Sequence, residues 1–321
     1  MKISRRTTLV LSCAGALALA APAVASADSV VSKLRVEGPN GSVLDPGTSY
    51  SNDTARLRAN KGSNKCNNDG DKVTLRGPNA MGILRHAGEV NGKVAPLFIQ
   101  QFDIGQFVCG INRVIGSDEP PFSGWTYNLN HVPGFDSADD VRLERGDEVL
   151  WYFSEFGKEI PTELDLRAPD RSEPGEALDV KAFEYEPNGD RESAEGVTIS
   201  GGTTPAPVTD GNGEATVLAG PDDTTLRGER DDDIPTPPTE VCVDADLDDC
   251  PPRRGERIYG TDDDDKIKGT RGADRISARR GDDTIKVRGD GVDKVDCGPG
   301  RDEVEADGKD KVDDDCERVD G

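Results

Sequence analysis

Six aspartates near the C-terminus recur at almost fixed spacing: Asp265, Asp274, Asp283, Asp293, Asp302 and Asp310. Two residues after each stands an aliphatic side chain: Ile267, Ile276, Ile285, Val295, Val304 and Val312. Glycines lead into them, among them Gly260, Gly269, Gly272, Gly281, Gly298 and Gly300. A carboxylate is a hard oxygen donor of the kind that calcium prefers. Glycine lets the backbone turn through positive φ, so that carbonyls face the same cation. The Asp-x-aliphatic alternation describes a very short strand with one side turned inward. Coils of this kind stack by pairing their backbones with their neighbours. Glu256 and Ile258 read as a degenerate first unit, and Val319 as part of a last one.

Written in nines, the array runs GTDDDDKIK (Gly260–Lys268), GTRGADRIS (Gly269–Ser277) and ARRGDDTIK (Ala278–Lys286), then VRGDGVDKVD, CGPGRDEVE and ADGKDKVD. It resembles the repeats-in-toxin, or hemolysin-type calcium-binding, family, whose pattern is Gly-Gly-x-Gly-x-Asp-x-U-x. The lines starting at Gly269 and Cys297 match that pattern in all but one glycine each. The resemblance implies a parallel β-roll with two units per coil and calcium between coils. Asp265 would then face Asp283, Asp274 would face Asp293, and Asp283 would face Asp302. Asp263 and the pair Arg279-Arg280 depart from the pattern where glycine is expected, and the spacing drifts to ten and then eight after Asp283. The thin apolar interior buries too little surface to offset the entropy of ordering the segment. Rows of stacked aspartates also repel one another. The array is therefore expected to fold on calcium and to be disordered without it. A merely acidic tail would not hold aliphatics at a fixed phase.

The elements that carry this array begin with an export signal. Lys2, Arg5 and Arg6 precede an uncharged apolar run from Thr7 to Ala21, and Ala25-Ser26-Ala27 forms a small-residue cleavage site. Residues 1–27 read as a secretory signal peptide. The run is too short for a membrane span and is broken by Pro22. Ser4-Arg5-Arg6 with Leu9 leaves the twin-arginine route open, and Cys13 reads as a passive signal residue. The net charge of −24 disfavours nucleic acid and anionic membrane and attracts cations. Six cysteines follow the signal: Cys66, Cys109, Cys242, Cys250, Cys297 and Cys316. An even number in an exported chain points to disulfides. Proximity favours Cys66–Cys109, Cys242–Cys250 and Cys297–Cys316. Zinc is the rival reading, disfavoured by the absence of Cys-x-x-Cys and by only two histidines, His86 and His131.

Low aromatic content with many Gly, Pro and Asp residues predicts a mainly β, multidomain chain. Residues 28–167 are expected to hold strands at Val30–Gly38, Phe102–Ile115 and Trp151–Phe156, and a helix at Asn79–Val90. The segments Gly124–Asn130 and Val141–Phe153 resemble the transcobalamin-like C-terminal domain family. That resemblance implies a β-grasp-like α+β domain, with Trp125, Tyr127, Trp151 and Tyr152 as candidate contacts for a ligand such as a corrinoid. Asn67–Asp71 reads as an acidic loop. Residues 168–243 alternate like strands at Pro174–Phe183, Gly196–Ser200, Thr209–Leu218 and Ile234–Val243. They resemble bacterial immunoglobulin-like or prealbumin-like spacer modules, implying a β-sandwich-like spacer. Residues 244–254 read as a disulfide-closed hinge, since Asp244–Asp249 lacks the glycine of an EF-hand. Residues 255–321 are the repeats.

No nucleophile elbow, zinc-protease motif or phosphate loop is visible, and abundant carboxylates do not by themselves make a glycosidase pair. The expectation is a non-enzymatic, extracellular calcium-binding protein with a structural, adhesive or binding role toward surface or cell-wall components. A ligand-binding protein working through the first domain and a secreted hydrolase are the alternatives.

Overall fold

The computed structural model describes residues 29–44, 48–52, 54–61, 66, 70–202, 205–247, 250, 254–287, 289 and 291–321. The signal peptide, Cys13, Asn67, Asn68 and Asp69 of the acidic loop, and Asp248 and Asp249 of the hinge lie outside the described residues.

Among the described residues, three large apolar cores and one small cluster (Leu150, Tyr152 and Ile234) organise the chain, which is mainly β. The first collects Leu34, Val36, Tyr50, Ile83, Leu84, Ile99 and Trp151 among others. Its helix, Ala80–Asn91, starts where Asn79 accepts a hydrogen bond from the Gly82 amide at 2.7 Å, a cap that satisfies one of the free amides of a helix start. It stops at Gly92, whose φ of 69° suits glycine. On one side of the helix lies a five-stranded sheet in the order Asp71–Leu75, Ala55–Lys61, Leu97–Phe102, Gly105–Ile111 and Val114–Ile115. The expected strand Phe102–Ile115 is thus cut by turns into separate strands. The second core, with Leu164, Leu178, Val180, Ile199, Val217, Leu226 and Val241, lies between two four-stranded sheets. Strand Glu163–Arg167 belongs there, paired with Ala177–Tyr185. This strand was not foreseen in the sequence, and it packs with the second core because Leu164 and Leu166 are buried there.

The third core is the thin interior of a roll. Ile258, Ile276 and Val295 stand in register on one face, and Ile267, Ile285 and Val304 on the other. All six are buried. Each face is a parallel sheet, as alternate repeats must form when two of them complete one coil. The first face is not a separate sheet. Strand Arg254–Tyr259 pairs in parallel with Thr48–Asn52, so the roll continues a ten-stranded sheet that starts in the first unit. Tyr50 stacks on Tyr259 at this seam, with ring centroids 5.7 Å apart. Disulfides join Cys66 to Cys109, Cys242 to Cys250 and Cys297 to Cys316.

Candidate metal centre

Each aspartate of the array sits at the entrance to a short strand, with the following aliphatic packed into the roll. The carboxylates turn inward with it. Asp265, Asp274, Asp283, Asp293 and Asp302 are at most 2% exposed. They form two ladders along the roll. In one, the Asp265 amide donates to Asp283 Oδ1 at 2.7 Å, Asp283 to Asp302 at 2.8 Å, and Asp302 to Glu317 Oε2 at 2.8 Å. In the other, the Glu256 amide donates to Asp274 at 2.6 Å, Asp274 to Asp293 at 2.8 Å, and Asp293 to Asp310 at 2.9 Å. The facing pairs follow the two-unit coil. The drift in spacing is taken up in the turns, since the registers of the strands stay unbroken across it.

Sequence reading missed Glu317. Its signal was Val319, two residues on, which pairs with Val304 as a last unit should. The carboxylate is a glutamate, one methylene longer, so the aspartate pattern passes over it.

The glycines make close stacking possible. A methyl group on Gly281 would meet the backbone of Asp263, on Gly298 the carbonyl of Arg279, and on Gly300 the carbonyl of Gly281. The Gly272 carbonyl packs against Gly291 in the same way. At Gly260 and Gly269 a methyl would run into the carboxylates of Asp265 and Asp274 themselves. Carbonyl oxygens and carboxylates are thus crowded together along the turns. Arg279 replaces a glycine yet adopts φ 79°. Its guanidinium lies 3.1 Å from Asp262 and 3.3 Å from His86 on the first unit's helix, contacts that hold the side chain in this unfavourable backbone region.

Burial, only partly offset by the ladder hydrogen bonds, raises several of these acids. Burial pushes Asp283 up to about 7, with Asp265, Asp302 and Asp264 adding repulsion. It pushes Asp293 up to about 6, helped by Asp274, Asp310 and Asp307. Asp302 and Asp296 are raised too, again mainly by burial. The outer oxygens of Asp283, Asp293 and Asp302 are buried and have no hydrogen-bond partner. Three buried, unpartnered carboxylate oxygens among backbone carbonyls fit a hard divalent cation, which would supply the missing charge. Asp283 and Asp302 would hold such ions along one ladder and Asp293 along the other.

Of the aromatics expected to touch a ligand, Trp125, Tyr127 and Trp151 pack into the first core. Trp125, Tyr127, Trp151 and Tyr152 are all at most 5% exposed. Trp125 donates to the Val114 carbonyl, Tyr127 to that of Asp136 and Trp151 to that of Ala80, each at 3.0 Å. Tyr152 packs with Leu150 against Ile234 of the second unit. Alternating strand positions and the helix between the sheets bury them, which a list of aromatic residues cannot reveal. A further cluster was not foreseen. His131 stacks on Tyr185 at 3.7 Å and lies 3.0 Å from Glu163, which also accepts from Asn128 at 2.9 Å. These residues tie the first unit to the second.

Comparison with known families agrees with the ladders. The RTX calcium-binding nonapeptide repeat (4 copies) matches residues 255–286. A domain of unknown function, DUF4430, matches residues 77–155. No curated protein and no solved structure matches the chain. The repeat match ends before Asp293, Asp302 and Asp310, although the ladders run on through them.

Proposed function

We propose that this is an extracellular calcium-binding protein in which calcium orders the C-terminal roll, and in which the two preceding units serve a structural, adhesive or binding role. The observation that carries the reading is the set of unpartnered buried oxygens on Asp283, Asp293 and Asp302. A carboxylate left in this state is costly, and calcium relieves the cost. The nonapeptide-repeat match supports the metal, and the three disulfides support an oxidising compartment. We read the first unit as a transcobalamin-like domain and the second as an immunoglobulin-like spacer. We assign neither a small-molecule ligand, since the aromatics of the first are used in its core. The matched families, a calcium-binding repeat and a domain of unknown function, include no catalytic family, which supports a non-enzymatic role.

The test is calorimetric titration of the full mature chain with calcium, alongside circular dichroism in chelator and in calcium. Uptake of calcium with a gain of strand signal is expected. A chain that takes up no calcium would remove the reading.

A further inference from the structure

The repeats close over their carboxylates in two different ways. In the first two, a threonine occupies the second position. The Thr261 amide donates to Asp265 Oδ2 at 2.6 Å, and its hydroxyl lies 3.1 Å from the same oxygen. The other oxygen of Asp265 accepts from Ser51 at 2.5 Å and from Ser29. Thr270 repeats the arrangement, with its amide 2.6 Å from Asp274 Oδ2 and its hydroxyl 2.8 Å from Oδ1, which also accepts from the Glu256 amide. Both oxygens of Asp265 and of Asp274 are therefore answered by protein donors.

The third and fifth repeats are built otherwise. Arg279 and Gly298 hold the second position in the left-handed region, at φ 79° and 83°. A β-branched threonine avoids that region. The turned backbone leaves Asp283 Oδ2 and Asp302 Oδ2 without a donor, and Asp293 Oδ2 shares that state.

We propose that the array is divided. Its first coil, closed by Thr261, Thr270, Ser51 and Ser29 and paired with strand Thr48–Asn52, is a metal-free foundation. Calcium binds only further along, at Asp283, Asp293 and Asp302, two of which lie beyond the matched repeats. A cation at Asp265 or Asp274 would have to break several hydrogen bonds to the carboxylate. At Asp283, Asp293 and Asp302 it would replace none on the outer oxygen. This inference rests on the calcium-binding reading and goes further by dividing the repeats.

The experiment uses the full mature chain with single Asp→Asn changes, which keep the Oδ1 acceptor of each ladder bond. Calcium uptake is measured by calorimetry and by equilibrium dialysis. Asp283→Asn, Asp293→Asn and Asp302→Asn should each lose or weaken calcium binding. Asp265→Asn and Asp274→Asn should bind as the parent does. Hydrogen exchange in chelator supplies a readout that needs no variant: amides of Lys266–Lys268 and Ala273–Ser277 should be protected, and those of Lys294–Asp296 and Lys311–Val312 only after calcium is added. Calcium loss in Asp265→Asn equal to that in Asp283→Asn would overturn the division, as would equally fast exchange of first and last coils in chelator. A parent chain that binds no calcium would instead overturn the calcium reading itself.

Discussion

Ser51 donates its hydroxyl to Asp265 Oδ1 at 2.5 Å across a sequence separation of 214 residues. Ser51 lies on a strand of the first unit, and Asp265 is the first aspartate of the repeats. With Ser49 donating to Glu256 at 2.6 Å, it fastens the first coil to Thr48–Asn52, the strand at which the first unit's part of the ten-stranded sheet ends. An exposed sheet edge invites uncontrolled pairing. Here the edge is used to start the roll.

Removing that hydroxyl should loosen the joint. A hydrogen bond to a charged, buried acceptor contributes about 1.5–3 kcal/mol. Ser51→Ala is expected to lower the stability of the first coil by about that much, with the second core unaffected. Hydrogen exchange resolved along the chain checks this. Uniform loss of protection over all three cores would count against a local role.

Gly300 is a steric keystone. A methyl there would overlap the Gly281 carbonyl of the neighbouring coil. Gly300→Ala should cost about 1–3 kcal/mol, the usual scale of overpacking, and should weaken calcium uptake at Asp302. Gly308, where a methyl meets open space, is the control. Denaturant unfolding of the two variants in calcium should differ clearly, with Gly308→Ala close to the parent.

Calcium affinity should depend on pH. Asp283 is raised to about 7 in the metal-free fold, against about 3.9 in an unfolded chain. Its proton therefore stabilises the metal-free roll fully below about pH 4, and that contribution fades as pH rises through about 7. Calcium must displace the same proton. Affinity should rise by up to about tenfold per pH unit between pH 5 and 7 and then level off. Titrations at several pH values check this, and a flat profile over that range would contradict the buried state of Asp283.

The joint between the first two units should have its own pH response. Burial works against charge on His131, but the hydrogen bond and charge of Glu163, with Glu148 and Asp165, raise its pKa overall. The resulting stabilisation is present below about pH 6.5, the unfolded value, and lost as pH rises through the higher folded value. His131→Gln should remove this pH dependence while leaving calcium uptake unchanged. Thermal melting across pH 5 to 9, with and without the substitution, measures it.

The repeats were readable because their information is local. Asp265 and Ile267 recur as Asp274 and Ile276, and a period of two within a period of nine already describes a thin stacked coil with its acids in rows. The helix expected at Asn79–Val90 runs from Ala80 to Asn91, and its cap at Asn79 and stop at Gly92 came from the structure. What the tertiary structure decided is long-range. The attachment of the roll to strand Thr48–Asn52, the burial of Trp125 and Trp151, and the stacking of His131 on Tyr185 all join residues far apart in sequence, and no local pattern encodes which edges meet. The contrast between Asp265 and Asp283 is of the same kind. Both occupy the same repeat position, but one is closed by Thr261 and Ser51 and the other is left open by the left-handed Arg279. Whether a buried carboxylate is satisfied depends on every donor that three-dimensional packing brings within reach.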